Sequence, residues 1–242
     1  MTPRASIIVT AYNEGESIAG PLRRLLEAVT MPSEIIVVVD SASDTSIPTV
    51  EALADQDPRI RHVVNTIGPG PAKAIRYGFY VAKAPVVVVT MADGCDDPHQ
   101  IDSLVRLVER GVVIAAASRY TRGGQHIGAP PLKGFLSHAA GLSLRLFGRV
   151  GTSDATNSFK AYSRDFVNSV GIDSDAGFEV GIELVAKARR YRLPVAEVPT
   201  IWLERQHGMS NFKLGKWIPR YLRWYAYTFG PALKLDIKET TQ

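Results

Sequence analysis

Residues 86–98 read VVVVTMADGCDDP, four consecutive valines followed at once by small and acidic residues. A short apolar run ending in polar turn chemistry has the pattern of a strand buried on both faces of a parallel sheet. The carboxylates then lie at its C-terminal end, which in open α/β sheets is the edge where ligands bind. Asp93, Asp96 and Asp97 are therefore candidates for a metal-nucleotide site. Asp96 and Asp97 also precede Pro98 and can start the helix expected there. Helix capping is the stronger expectation for that pair, which leaves Asp93 as the site acid.

Working outward, the same layout recurs at two earlier strands, IIVTAYNEGES over 7–17 and IIVVVDSASDTS over 35–46. The first half alternates strand-like runs (Ala5 to Thr10, Glu34 to Asp40, Arg61 to Asn65, Val86 to Met91, Val112 to Ala117) with helical ones near 16–29, 46–55, 71–83 and 98–110. This βαβ pattern predicts a mostly parallel sheet flanked by helices. Right-handed crossovers bring the strand ends to one edge, so that Asn13, Asp40 and Asp93 are expected near one another. Each acid alone is weak evidence; the triple arrangement is stronger. No G-x-G-x-x-G follows the first strand and no G-x-x-x-x-G-K-[ST] occurs, which counts against dinucleotide-binding and P-loop readings.

Beyond Tyr120 the pattern changes. TRGGQHIGAPP (121–131) reads as a mobile loop. An amphipathic helix near 132–147, a short strand at Ser158 to Tyr162, a helix near 178–191, a strand at Val195 to Leu203 and a basic aromatic C-terminal helix follow. They extend the first half rather than forming an independent domain.

A chain of 242 residues with 45% hydrophobic and 21% charged residues can bury an ordinary core. Cys95 is the single cysteine, so no intrachain disulfide forms and a reducing compartment is expected. Ser6 to Val9 enters a strand-like run directly, without the long apolar segment of a signal peptide. From Arg189 to Lys238 there are ten Lys or Arg against three Asp or Glu, while the whole chain carries +4. Within that stretch KWIPRYLRWYAYTFGPALKL (216–235) interleaves aromatic and basic side chains. This suits a membrane interface and equally a helix packing its aromatic face on the sheet. It does not suit a membrane span, because charges and prolines interrupt it. Nucleic acid is not expected as a partner, since no motif of that class accompanies the basic residues.

In this order the motifs resemble family 2 glycosyltransferases of the GT-A fold, and within them the dolichol-phosphate and polyprenyl-phosphate mannosyl- and glucosyltransferases. SIIVTAYNEGESI, VVVDSASDTS, PAKAIRYGF, ASRYTRGG, DATNSFKAY, FEVGIEL, VPTIWLERQHGMSNFKLGKW and PRYLRWY carry the resemblance from about Ala5 to Tyr225. It implies one GT-A domain over 1–230 that includes the C-terminal helix, with 231–242 as a tail. It also implies an inverting hexosyltransferase that uses a GDP- or UDP-linked sugar and a polyprenyl or dolichyl phosphate, in the cytoplasm or peripheral on the cytoplasmic membrane face.

The resemblance assigns Tyr12, Glu14 and Asp40 to the nucleotide and Asp93 to a divalent cation, Mg²⁺ or Mn²⁺, or to the diphosphate. Arg205 falls on the leaving pyrophosphate with Ser210 and Lys213 close by, although a surface ion pair with Glu204 is the alternative for Arg205. Asp93 and Arg205 are the expected catalytic pair. Arg119, Lys133 and Ser137 fall on the acceptor phosphate, with Arg122 as a helper and Gly123, Gly124 and Gly128 in a closing loop. Asp154 is open between the donor sugar and a turn or cap, Glu179 and Glu183 between sugar hydroxyls and structure, and His207 between phosphate and solvent.

Three departures bear on chemistry. Val39 replaces the first acid of the second motif, Met91 replaces the first acid of Asp-x-Asp, and Cys95 stands where a polar ligand is common. Thioether and thiol are poor partners for hard cations, so metal dependence is expected to be weakened. Two rivals remain: the same fold acting on a soluble acceptor, and a catalytically silent nucleotide-sugar or lipid-binding protein.

Overall fold

The computed structural model describes residues 2–128, 131–204 and 214–235, with side chains omitted at 131–133 and 214–217. In chain order the elements are β1 (Ala5–Thr10), α1 (Ala19–Ala28), β2 (Ser33–Val39), α2 (Ile47–Ala54), β3 (Ile60–Val64), α3 (Pro71–Val81), β4 (Val86–Met91), α4 (Ile101–Glu109), β5 (Ile114–Ser118) and β6 (Gln125–Ile127). Then come α5 (Pro131–Ser143), extended by a π-helical turn Leu144–Gly148, and β7 (Lys160–Ser163), α6 (Arg164–Val170), α7 (Val180–Arg190), β8 (Val195–Pro199), β9 (Ile201–Leu203) and α8 (Leu214–Thr228).

Seven strands form one sheet in the order β3-β2-β1-β4-β7-β5-β8. All pairings are parallel except those of β7, which runs antiparallel to β4 and β5. The four valines behave as their pattern predicts. Val86 and Val88 enter the core under α1, α2 and α4, whereas Val87 and Val89 enter the core under α3, α6, α7 and α8. Burying each contributes about 1.5–3 kcal/mol relative to exposure, so this strand cannot slip register without losing both cores at once.

Two expectations need correction. The glycine-rich stretch predicted as a loop contains β6, and the strand predicted over 195–203 is two strands. At Thr200 the chain leaves the main sheet: β8 pairs with β5, whereas β9 pairs with β6 in a separate parallel ribbon. The helix α6, capped by Ser163 Oγ accepting from Phe166 N, was not anticipated. The C-terminal helix packs one face on the domain, as one reading of its composition expects. Trp224 is buried and donates Nε1–H to Ser174 Oγ at 3.0 Å, while Ile218, Leu222 and nearby Phe229 remain exposed. No described helix is long and apolar enough to cross a membrane.

Candidate active site

Sheet register places the site. Thr10 is aligned with Val38 on one side and with Met91 on the other. Tyr12, Asp40 and Asp93 therefore each lie two residues past the same level of three adjacent parallel strands. All three, with Glu14, line a cavity of about 900 Å³. Asn13 does not line it. Its backbone is left-handed (φ 53°), its N–H donates to Asp44 at 2.9 Å and its side chain accepts from Thr45 N. It thus laces the first strand's turn to the second's.

Asp40 is held in place by N–H donors: Oδ2 accepts from Gly70 N at 2.8 Å and Oδ1 from Asn65 Nδ2 at 3.2 Å. Each oxygen keeps acceptor capacity for a ligand. Tyr12 is 63% exposed and offers a ring face at the rim.

Below Asp93, the carboxylate cluster divides differently from the expectation. Asp97 caps the turn before α4, accepting from His99 N at 3.1 Å. Asp96, expected to share that role, is instead buried, lines the cavity and accepts from Thr90 Oγ at 2.8 Å. Two consecutive acids cannot both cap one helix, and the strand's inward-facing Thr90 draws the first of them inward. Burial, then the nearby charge of Asp93, pushes the Asp96 carboxyl up to about 7.

Asp93 accepts from Cys95 N at 3.1 Å, and Met91 Sδ accepts a 3.4 Å hydrogen bond from Thr10. Among the described residues no group of three His, Cys, Asp or Glu converges as a metal cage. A Mg²⁺-like ion held by one or two carboxylates, substrate phosphate oxygens and water needs no cage, and Asp93 fits that mode.

On the far side Arg119 follows β5 directly. Its side chain is 10% exposed and its Nε and Nη2 grip the Asp154 carboxylate at 2.7 and 2.8 Å, while its backbone N–H donates to Asp154 at 3.0 Å. Nη2 also reaches Ser137 Oγ at 3.3 Å, and that hydroxyl is 2.8 Å from Thr156 Oγ. Nη1 has no hydrogen-bond partner among the described residues. Burial works against charge on Asp154, but the charge and hydrogen bonds of Arg119 outweigh it and hold the carboxyl below its ordinary range.

Two glycines permit this packing. A Cβ on Gly124 would sit 2.5 Å from Ser118 O, and one on Gly141 2.0 Å from Ser153 O, so the loop and α5 can close on the segments that carry Arg119 and Asp154.

Sequence reasoning missed Lys160. It sits in β7 between Val89 and Ala116, fully buried, donating to the carbonyls of Ala155 and Asn157. Burial depresses its ammonium to about 7, against the pull of Asp154.

The remaining candidates separate clearly. Glu183 is structural: it pairs with Lys187 at 2.7 Å and accepts from Asp173 N and Ser174 N. Glu179 is buried at the start of α7 with Oε1 bound to Gly177 N, and does not line the cavity. Arg122 is exposed and also off the lining. Lys133 lies in α5 with its side chain outside the described residues, as are Arg205, His207, Ser210 and Lys213 entirely. The cavity lining also includes a mainly apolar set: Leu136 of α5, Phe178 and Ile182 at α7, and Ile218, Leu222 and Tyr225 of α8.

The family model for glycosyl transferase family 2 matches residues 6–171. The chain belongs to that family and is a glycosyltransferase.

It is 28% identical over 229 residues to the undecaprenyl-phosphate mannosyltransferase of Micrococcus luteus, covering 91% of this chain and 93% of that one. It is 31% identical over 248 residues to the dolichol-phosphate mannosyltransferase of Saccharomyces cerevisiae, covering 95% and 90%. Among solved structures, glucosyl-3-phosphoglycerate synthase from Mycobacterium tuberculosis, in complex with Mn²⁺, UDP and glucosyl-3-phosphoglycerate, superposes with a TM-score of 0.66 at 19% identity, over 93% of this chain and 78% of that one. A mannosyltransferase from Pyrobaculum calidifontis with GDP-Man and Mn²⁺ gives 0.64 at 18%, over 96% and 66%. These likenesses show the GT-A fold.

Proposed function

We propose that the chain transfers one hexose, with inversion, from a GDP- or UDP-sugar to a polyprenyl or dolichyl phosphate at the cytoplasmic face of a membrane. A single domain over residues 1–230 does this, with 231–242 as a tail. The observation that carries the reading is one cavity lined by three chemistries. Carboxylates stand at the β1, β2 and β4 ends, a buried guanidinium–hydroxyl pair at Arg119 and Ser137, and a mainly apolar set at α5, α7 and α8. A nucleotide, a phosphate and a prenyl chain match these in order. The lipid-phosphate mannosyltransferases among its relatives support the same assignment.

In this reading Tyr12 packs on the base, and Glu14 and Asp40 accept hydrogen bonds from the nucleoside. The acceptor phosphate is already ionised at neutral pH, so its oxygen attacks the anomeric carbon without a general base. Arg119, Ser137 and Lys133 orient it, with Nη1 of Arg119 as the open donor. As the glycosidic bond breaks, charge gathers on the departing diphosphate, and Arg205, Ser210 and Lys213 neutralise it. A divalent cation, when bound, supplies further neutralisation of that charge, and Asp93 is the residue that would hold it. With Met91 in place of a second acid, the basic segment carries more of the stabilisation than a two-acid site requires.

The test is a panel of UDP- and GDP-sugars with a short polyprenyl phosphate, with and without EDTA. Lipid-linked sugar from one donor is the expected product. No such product from any donor sinks the proposal, and full activity in EDTA removes the cation from it.

A further inference from the structure

A second cavity, of about 670 Å³, shares no lining residue with the first. It lies beside Val195, the first residue of β8, whereas the active site is at the far ends of the strands. Arg149, Arg189 and Arg192 line it, and no acidic side chain does. None of these arginines is ion-paired among the described residues. Arg189 donates Nε–H to Gly148 O, which fixes its stem against the end of the π-helical turn. Adjacent Arg190 donates to Pro231 O at 2.9 Å and lies 4.2 Å over the Tyr227 ring, anchoring residues 230–232, which also line the cavity.

Arg149 and Arg192 both have left-handed backbones, φ 55° and 57°. Glycine or asparagine would adopt this conformation at lower cost. Both residues end helical segments: Arg149 caps the π-helical turn, and Arg192 closes α7, its N–H donating to Arg189 O while Leu193 N donates to Ala188 O, so two cations stand where helix C-termini favour positive charge.

That cavity is also where the two amphipathic helical segments run out. Leu146 and Phe147, 60% and 74% exposed, directly precede the Gly148–Arg149 step, and Phe229, 47% exposed, directly precedes Gly230. Exposed large apolar side chains beside unpaired arginines form the surface that an interfacial protein presents to lipid. A guanidinium fork meets two phosphate oxygens with two parallel N–H bonds, a planar geometry that an ammonium lacks.

We propose that this cavity seats the phosphate of an anionic phospholipid headgroup, with Arg149 and Arg192 as its ligands and Leu146, Phe147 and Phe229 at the acyl boundary. The proposal rests on the membrane association put forward above. It concerns a lipid that is neither donor nor acceptor, held at a site separate from the chemistry. Such a lipid fixes the orientation in which the active-site mouth meets the bilayer.

The experiment is co-sedimentation of the full chain with phosphatidylcholine vesicles, with and without phosphatidylglycerol. The natural sequence is expected to bind the anionic vesicles at least about tenfold more tightly. Arg149→Gln with Arg192→Gln is expected to lose about tenfold of that preference. Arg106→Gln with Arg110→Gln removes the same charge from the last turn and C-cap of α4, on the opposite face of the sheet, and is expected to lose less than about threefold. Arg149→Lys with Arg192→Lys keeps charge and backbone but not the fork, and is expected to lose at least about threefold. Equal losses for the two glutamine pairs overturn the site in favour of diffuse attraction. Equal binding of the natural sequence to both vesicles overturns the site while leaving membrane association intact. Binding to neither overturns both.

Discussion

On the β1–β2–β4 side of the active-site cavity, backbone and amide N–H groups hold carboxylates in place: Asp40 by Gly70 and Asn65, Asp44 by Asn13 and Ser46. On the β5–β7 side, charge holds charge: Arg119 is clasped by Asp154, with the charge of Asp96 acting on Arg119 and that of Lys160 on Asp154. The first arrangement is built from turns, each of which sets one residue. The second centres on a buried ion pair, Arg119 with Asp154, in which losing either partner strands the other's charge in low dielectric. The proposed nucleotide side should therefore tolerate single changes better than the Arg119–Asp154 pair of the proposed phosphate side does.

Arg119→Ala is the most severe break. It leaves Asp154 buried without its partner, at a cost of about 3–5 kcal/mol of stability. Lipid-phosphate turnover is expected to fall by about 10³ or more, with nucleotide affinity unchanged within about threefold. Urea unfolding, single-turnover assays and nucleotide titration separate these effects, and an equal loss of nucleotide binding contradicts the division between the two sides.

Asp96→Asn sharpens the comparison through pH. The carboxyl titrates near 4 in the unfolded chain and at about 7 in the fold. Raising pH through that window therefore favours the unfolded state, and the deficit is constant above it. The asparagine variant is expected to gain on the order of 4 kcal/mol at pH 8 and nothing below pH 4. Urea midpoints across the range read this directly, and a pH-independent gain rules out the assigned burial.

Gly141→Ala drives a methyl into Ser153 O. About 2 kcal/mol of stability and about tenfold in acceptor turnover are expected to go, with nucleotide affinity kept. Met91→Asp restores a second acid on the nucleotide side. It is expected to strengthen the Mn²⁺ dependence of turnover by about tenfold with the fold intact, and an unchanged Mn²⁺ titration places the metal elsewhere.

Much of the sheet was readable because its signal is local. Four valines, flanked by turns, have one reading, and the register that aligns Tyr12, Asp40 and Asp93 follows from three strands with the same ending. The phosphate side was readable only in part. Arg119 and Ser137 stood in recognisable motifs, but the partner that holds Arg119 is 35 positions away, and no spacing rule reaches that far. Lys160 did leave a trace: a lysine between Phe159 and Ala161 in a strand with neighbours on both edges has no route to solvent. β6 left none, because three residues in a glycine-rich stretch become a strand only when β9 arrives beside them.

The β6–β9 ribbon ties separate parts of the site together. Through it Thr200 N donates to Ser118 O at 3.0 Å, Glu204 N to Ile127 O at 3.0 Å and Leu203 N to Cys95 O at 3.1 Å. The loop leaving Arg119, the turn bearing Asp93 and the chain leading to residue 205 are thus fastened to one short piece of backbone. A ligand that displaces the ribbon from either side alters the free energy of occupying the other, and linkage makes that coupling reciprocal. Donor and acceptor affinities measured separately would then not multiply to give the affinity of the ternary complex, and the departure from the product would measure the ribbon's stiffness.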